Sequence, residues 1–311
     1  RALSSFRNKK PKRILSNAGN LDTQSLVCLV TESPFHVIKL ASQGNLAEFE
    51  RLYNADNTKL SIQDSKGQAA VHKAAENGKV NILSFIYGHG GDLNIQDKAG
   101  NTPLHLAVLA KQTASIDFLL DHAAAPAIFN SSEMAPLHLA VEIDSVKVLE
   151  CLLKHENINP NLSGEQGNTA LHFCAYKDRA DCAKKLLEYG ARPCIRCRNG
   201  YFPINVAGKC AAAKTLEILI QHVEALGYKR EDVLSFSDKQ NNMPLHCAVN
   251  SGDLTALVVC LYAGAPVDGV QEDKSTPLNF ASAQGSIDMV QAMYEKQPDR
   301  FAKALTSEDI L

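Results

Sequence analysis

The feature that most constrains the fold of this chain is a nine-residue block that returns along most of its length. Its clearest copy is residues 100–108, Gly-Asn-Thr-Pro-Leu-His-Leu-Ala-Val. Thr102 suits a helix N-cap because its hydroxyl can accept from an amide of the first turn. Pro103 suits the first helical position because its missing N–H costs nothing there. Since Leu104 and Ala107 share one helix face, the block predicts a short helix packed against a neighbour.

Related blocks return at regular intervals. The positions equivalent to His105 are Ile38, His72, His138, His172, Asn205, His246 and Asn279. The steps along this series are 34, 33, 33, 34, 33, 41 and 33 residues. A period near 33 with a Thr-Pro-Leu-His-x-Ala core resembles the ankyrin signature. The resemblance implies an all-α ankyrin-repeat solenoid of about eight repeats over residues 31–311, with short β-hairpin fingers.

Charge is distributed unevenly between the N-terminal arm and the repeats. Residues 1–30 contain six Lys and Arg and one Asp, so they carry +5, which leaves −7 for the rest of a chain whose net charge is −2. The acidic body argues against general nucleic-acid binding. The basic run at residues 7–13 is interpreted as part of a flexible, solvated arm, with a nuclear-import signal and contact with anionic lipid as alternatives.

Cysteine usage and hydropathy indicate a reduced, water-soluble chain. The nine cysteines are odd in number and scattered, and several lie inside apolar helical patterns, which is typical of cytosolic thiols. The longest apolar run without a charge, Leu254 to Val267, has 14 residues. That run is too short to span a bilayer, so we expect no membrane-spanning segment within residues 1–311.

The recurring histidines are interpreted as structural. Stacking places them about 10 Å apart, too far for one metal ion, and a neutral imidazole offers one donor and one acceptor. The motif residues assigned this structural role are Thr102, Pro103, His105, His72, His138, His172, His246 and Thr276. No catalytic motif stands out, and the sequence therefore predicts neither an enzyme nor a metal or other cofactor.

Cys194 and Cys197 form a single Cys-x-x-Cys pair with three interpretations. Zinc or redox use is the first interpretation, but no second Cys-x-x-Cys pair stands in the sequence to complete a four-ligand zinc site. Nearby arginines (Arg192, Arg196 and Arg198) could favour a thiolate, which makes both cysteines candidate reactive thiols. The remaining interpretation is one finger residue and one surface residue.

Several stretches resemble the N-terminal array of the TRPA subfamily of transient receptor potential cation channels. They include residues 134–141, 161–170 and 200–204, and the insertion that produces the 41-residue step resembles that family through residues 226–230. The sequence resembles invertebrate members more than vertebrate ones. Cys194 matches a cysteine of the family, whereas Cys197 departs from its pattern.

The TRPA resemblance implies a function that residues 1–311 do not carry alone. It implies a cytosolic regulatory or sensory domain of a Ca²⁺-permeable, non-selective cation channel that responds to heat, irritants or electrophiles. The full protein would be a homotetramer in the plasma membrane, and the array would contact protein partners or neighbouring subunits on its cytosolic face. The alternatives are a soluble ankyrin scaffold for protein–protein binding and an ankyrin-tagged enzyme whose catalytic domain lies elsewhere.

The C-terminal end of the chain leads to a further expectation. Residues 309–311 fall where another repeat would begin, and no polar capping helix is evident in the sequence. Arrays need polar terminal repeats for solubility, so we expect the protein to continue beyond residue 311. The TRPA resemblance implies that the continuation holds further repeats and a membrane domain. We also expect Met289 and Met293 to present apolar surface.

Overall fold

The computed structural model describes residues 35–227 and 229–306, which contain 18 α-helices and two 3₁₀ segments. The basic arm, residues 1–30, lies outside the described residues. Sixteen of the helices form eight pairs, one pair for each repeat counted from the motif. The first helices are His36–Gln43, Ala70–Glu76, Pro103–Leu109, Pro136–Glu142, Ala170–Lys177, Pro203–Lys209, Pro244–Ser251 and Pro277–Ala283. The second helices are Leu46–Ala55, Val80–Gly88, Thr113–Asp121, Val146–Leu153, Ala180–Glu188, Ala213–Ala225, Leu254–Tyr262 and Ile287–Lys296.

The two helices of a repeat bury different fractions of their surface. Pro103–Leu109 is buried from Pro103 to Val108 because it lies between its own second helix and the first helices on either side. Thr113–Asp121 instead buries Ile116, Leu119 and Leu120 and exposes the opposite face. One repeat alone would leave these apolar faces in water, so stacking supplies most of the core.

The turn inside each repeat needs one residue with a positive φ. Glycine supplies it in four repeats: Gly44, Gly78, Gly252 and Gly285. In the other four the same position is Lys111, Asp144, Asp178 or Ala211, with φ between 50° and 57°. The left-handed conformation disfavours residues with a Cβ, so tertiary packing must hold these four turns.

The fingers between repeats are tight turns. In the third, the amide of Asp97 donates to the carbonyl of Asn101 at 2.9 Å, and the amide of Lys98 donates to the carbonyl of Lys66 in the preceding finger at 3.0 Å. The all-helical ankyrin fold is confirmed. The expected hairpins appear as turns, and residues 35–227 and 229–306 contain no strand, because few backbone bonds link successive fingers.

The long sixth-to-seventh step contains an extra helix. The second helix of repeat six extends over 13 residues, and the helix Arg230–Leu234 comes after it and buries Val233 and Leu234. The first helices of repeats six and seven, Pro203–Lys209 and Pro244–Ser251, have the most extensive close approach of any helix pair in the described part of the chain.

The expectation that Met289 and Met293 present apolar surface is wrong. Their side chains are 2% and 0% exposed. The helix that carries them packs against Leu254–Tyr262 and Pro277–Ala283, and a further helix, Pro298–Leu305, folds back against it. The large hydrophobic side chains exposed near this end are instead Ile287, Tyr294 and Leu305.

Candidate functional site

His105 lies at the centre of a buried hydrogen-bond network that begins with the N-cap. Its Nδ1 accepts from the amide of Thr102 at 3.1 Å and from the Thr102 hydroxyl at 2.8 Å. Its Nε2 donates to the carbonyl of Met134 in the next repeat at 3.0 Å. A carbonyl can only accept, so the proton is on Nε2 and Nδ1 is the acceptor. Pro103 occupies the first helical position, and the imidazole ties two repeats together.

Four other histidines make the same pair of contacts. The carbonyls that accept from their Nε2 atoms are Asn101 for His72, Leu162 for His138, Tyr201 for His172 and Ser275 for His246, at 3.1 to 3.3 Å. In each case Nδ1 accepts from the amide three residues earlier. Thr276, in repeat eight, accepts at its hydroxyl from the amide of Asn279 at 3.3 Å. The structural role proposed for these motif residues rests on this geometry.

Asn205 replaces histidine in repeat six and reproduces its bonding. Its Oδ1 accepts from the amide of Phe202 at 3.1 Å. Its Nδ2 donates to the carbonyls of Phe236, at 2.8 Å, and Asn242, at 3.2 Å. Phe236 lies just after the extra helix, so the inserted segment supplies one of the two carbonyls that accept from Asn205. Sequence reasoning did not connect the insertion with the replacement of histidine by Asn205.

Burial lowers the pKa of the motif histidines because it disfavours the charged imidazolium. The pKa falls to about 4 for His105, His138, His172 and His246, and it is lowered for His72 as well. The bond from Nε2 to a carbonyl opposes the shift without cancelling it. These side chains are therefore neutral at pH 7, and the described residues contain no group of three or more His, Cys, Asp or Glu arranged to hold a metal ion.

The two candidate reactive thiols have different surroundings. Cys194 is exposed, and Cys197 is 7% exposed at the start of the sixth finger turn. Both are free thiols, so the reactivity of either one stays a prediction. Burial raises the pKa of Cys151, Cys182 and Cys247 to about 12, and it also raises the pKa of Cys174 and Cys260.

The first helices line the inner side of a curved stack. In every neighbouring pair of repeats, the first helices approach each other more extensively than the second helices do, which makes their side concave. Ion pairs join the ends of the first helices and the turns after them in repeats four and five: Lys177 with Glu142 at 3.1 Å and Arg179 with Asp144 at 2.9 Å. Concave surfaces of stacked repeats are extended binding surfaces, so this side is the candidate functional site.

Comparison with protein families agrees with this architecture. A family model described as ankyrin repeats in three copies matches residues 37–130 and 125–197, which is more than half of the chain. The chain belongs to the ankyrin-repeat family. A second ankyrin model, for many copies, matches residues 245–293.

Curated relatives of this ankyrin-repeat chain include TRP channels. It is 51% identical over 275 residues, 88% of its length, to transient receptor potential cation channel subfamily A member 1 of Drosophila melanogaster. It is 36% identical over 39% of its length to the same-named channel of Homo sapiens, and 30% identical over 43% to the Drosophila channel pyrexia. The similarity to the ankyrin region of TRPA channels, stronger towards the invertebrate member, is confirmed.

These relatives are longer than the ankyrin-repeat chain and are ion channels rather than enzymes. The aligned part is 23% of the Drosophila channel of subfamily A, 11% of the human channel and 13% of pyrexia. Among solved structures, the ankyrin-repeat domain of Bcl-3 matches with a TM-score of 0.63 at 23% identity, covering 73% of this chain and all of that domain. That likeness concerns the fold alone. In the described part of the chain, every helix is too short or too polar to cross a bilayer.

Proposed function

We propose that this array is the regulatory ankyrin region of a TRPA-like cation channel and that it biases gating without forming the conduction path. The observation that carries the proposal is the 51% identity to the Drosophila channel over 88% of the chain. The full protein would be a homotetramer in the plasma membrane. It would pass Ca²⁺ and other cations, respond to heat, irritants or electrophiles, and hold this array on the cytosolic face.

The stacking suggests how such a region would act. Each repeat contacts its neighbours, and the link is specific: His105 bonds Met134 one repeat on, and His172 bonds Tyr201 in the same way. Strain introduced at one end can pass along the stack in small increments. A stimulus would act by favouring one conformation of the array over another. A stimulus that stabilises the open state by about 5.5 kcal/mol more than the closed state moves a gate from 1% to 99% open.

A chimera tests this function. Residues 31–311 are replaced, inside the full-length channel, by the aligned stretch of a relative with a different stimulus preference, and currents are recorded. We expect the activation threshold or agonist sensitivity to move while the relative permeability to Ca²⁺ and Na⁺ stays constant. The control exchanges the same residues with a relative of the same preference. Altered permeability with unaltered gating would contradict the proposal.

The second candidate function is a soluble scaffold that binds a protein partner. It is favoured by the match to ankyrin repeats, and the described helices are compatible with a protein that never meets a membrane. The two candidates differ in the segment that they require after the array. A membrane domain encoded after residue 311 supports the channel, and the absence of current from the intact protein in any membrane assay supports the scaffold.

A further inference from the structure

Repeat six carries the longest stretch of the chain without a carboxylate. Residues 189–216 contain five Lys and Arg and no Asp or Glu, although the whole chain is acidic. The five cations, Arg192, Arg196, Arg198, Lys209 and Lys214, are all exposed. None of them forms an ion pair with a carboxylate among residues 35–227 and 229–306. This local charge is therefore available to a ligand.

The turn of the sixth finger begins with an uncharged residue, Cys197, as do the turns of fingers four, five and eight. Fingers two, three and seven instead begin their turns with Asp64, Asp97 and Asp238. The carboxylate of Asp238 is 4% exposed and accepts from the amides of Gln240 and Asn242 at 2.9 and 2.8 Å. It is thus committed to its own turn.

Two of the cations near finger six are held in place. The guanidinium of Arg196 lies 4.6 Å from the centroid of the Phe202 ring and donates to the carbonyl of Ser237 at 3.0 Å. The ammonium of Lys239 donates to the carbonyl of Arg198 at 2.6 Å and so joins fingers six and seven. Side chains ordered in advance lose less conformational entropy when they bind a ligand.

Aromatic side chains continue this surface onto the concave side. The ammonium of Lys209 lies 4.7 Å from the centroid of the Tyr201 ring and 3.4 Å from its hydroxyl. Tyr176, from repeat five, is 46% exposed. Burial raises the pKa of its hydroxyl, and Lys209 and Tyr201 lie near enough to affect that pKa as well. Rigid aromatic rings beside arginine are common anchors of protein interfaces.

We propose that the surface formed by Arg196, Arg198, Lys209, Lys239, Tyr176 and Tyr201 binds an extended acidic peptide segment. Guanidinium forks match carboxylates in paired hydrogen bonds, and the exposed ring of Tyr176 accepts an apolar side chain between them. Because Lys209 and Tyr201 lie on the concave side, an extended chain can reach the surface, whereas a flat bilayer cannot follow that curvature. The proposal is independent of channel gating.

The test uses the 311-residue chain and a fluorescein-labelled synthetic peptide. The probe has about 12 residues, alternates Glu with Ser or Tyr, and spans about 40 Å when extended. We expect saturable binding by fluorescence anisotropy that weakens as salt rises, and no binding of the version with Gln in place of Glu. The double variant Arg196→Glu and Arg198→Glu should weaken binding at least about tenfold.

The matched control changes charge equally elsewhere. Lys66→Glu with Lys98→Glu reverses two exposed lysines at the tips of fingers two and three, and we expect affinity within about twofold of wild type. If the arginine variant fails to fold by circular dichroism, Arg198→Gln with Lys209→Gln replaces it, with the same expected loss. An equal loss of peptide affinity in the arginine variant and in the lysine control would overturn the proposal. No binding of the acidic peptide to the wild-type chain would overturn it too. So would stronger binding of phosphatidylserine vesicles or tripolyphosphate that is lost in the arginine variant.

Discussion

The imidazole of His105 donates to the carbonyl of Met134, 29 residues further along the chain, at 3.0 Å. The same ring holds the N-cap of its own helix through Thr102. One fully buried side chain thus satisfies a local backbone amide and a carbonyl of the next repeat. Buried polar groups left without such partners are expensive, so this pair connects local helix capping with the stacking of repeats.

The first prediction concerns removal and partial replacement of this ring. His105→Ala leaves a buried amide and a buried carbonyl unpaired and should lower the free energy of unfolding by about 1–3 kcal/mol. His105→Asn should lose less, because Asn205 already makes both kinds of bond in repeat six. Urea denaturation at pH 7.5 measures both variants. A loss for Asn as large as that for Ala would show that the amide cannot serve in repeat three.

The second prediction concerns acid. The pKa of His105, His138, His172 and His246 is about 4 in the folded chain, against about 6.5 when unfolded. The unfolded state therefore binds more protons between these values. The contribution of these histidines to the free energy of unfolding should be fully present above about pH 6.5. It should fall as pH drops towards 4, by roughly 1.4 kcal/mol per pH unit for each histidine.

Denaturation series at pH 7.5, 6 and 5 measure this slope. The double variant His105→Asn and His172→Asn serves as the control, because it removes two of the titrating groups and leaves every carboxylate in place. Its stability should fall less steeply with acid than that of the wild type. Equal slopes would mean that these histidines do not set the acid response.

The third prediction concerns the close contact between repeats six and seven. A Cβ added at Gly208 would lie 2.7 Å from the carbonyl oxygen of Pro244, and backbone atoms cannot move away easily. Gly208→Ala should lower the free energy of unfolding by about 1–3 kcal/mol. Gly88→Ala is the matched control, since Gly88 ends a helix with no heavy atom within 4 Å of the added carbon. Thermal melts that rank the two variants in the reverse order would contradict the packing argument.

The fourth prediction concerns the thiols. In the native chain at pH 7.5, iodoacetamide should modify Cys194 before any other cysteine of the described part, because Cys194 is exposed there. Cys151, Cys182 and Cys247 should react far more slowly, since burial raises their pKa to about 12 and keeps them as neutral thiols. Tryptic mass spectrometry after timed quenching assigns each site. Modification of Cys197 as fast as that of Cys194 would show that the sixth finger opens.

The sequence by itself determined where the first helices begin and how the repeats succeed one another. Caps such as Thr102 and the proline after them are local signals, and the 33-residue period imposes stacking because a lone repeat cannot bury its apolar faces. It also indicated that the recurring histidines do not share a metal ion. These features depend on neighbours in the chain or on a repeating pattern, so they can be recognised without coordinates.

Only the tertiary structure decided which residues can depart from the repeat motif while the fold is kept. Asn205 replaces histidine because the loop after the extra helix brings the carbonyl of Phe236 within 2.8 Å. Ala211 adopts a positive φ, although its side chain gives no local reason for a left-handed turn. Met289 and Met293 are buried because their helix packs against Leu254–Tyr262 and Pro277–Ala283 and because the helix Pro298–Leu305 folds back against it. In each case the deciding contact comes from another segment of the chain, whose position depends on packing that local sequence rules do not describe.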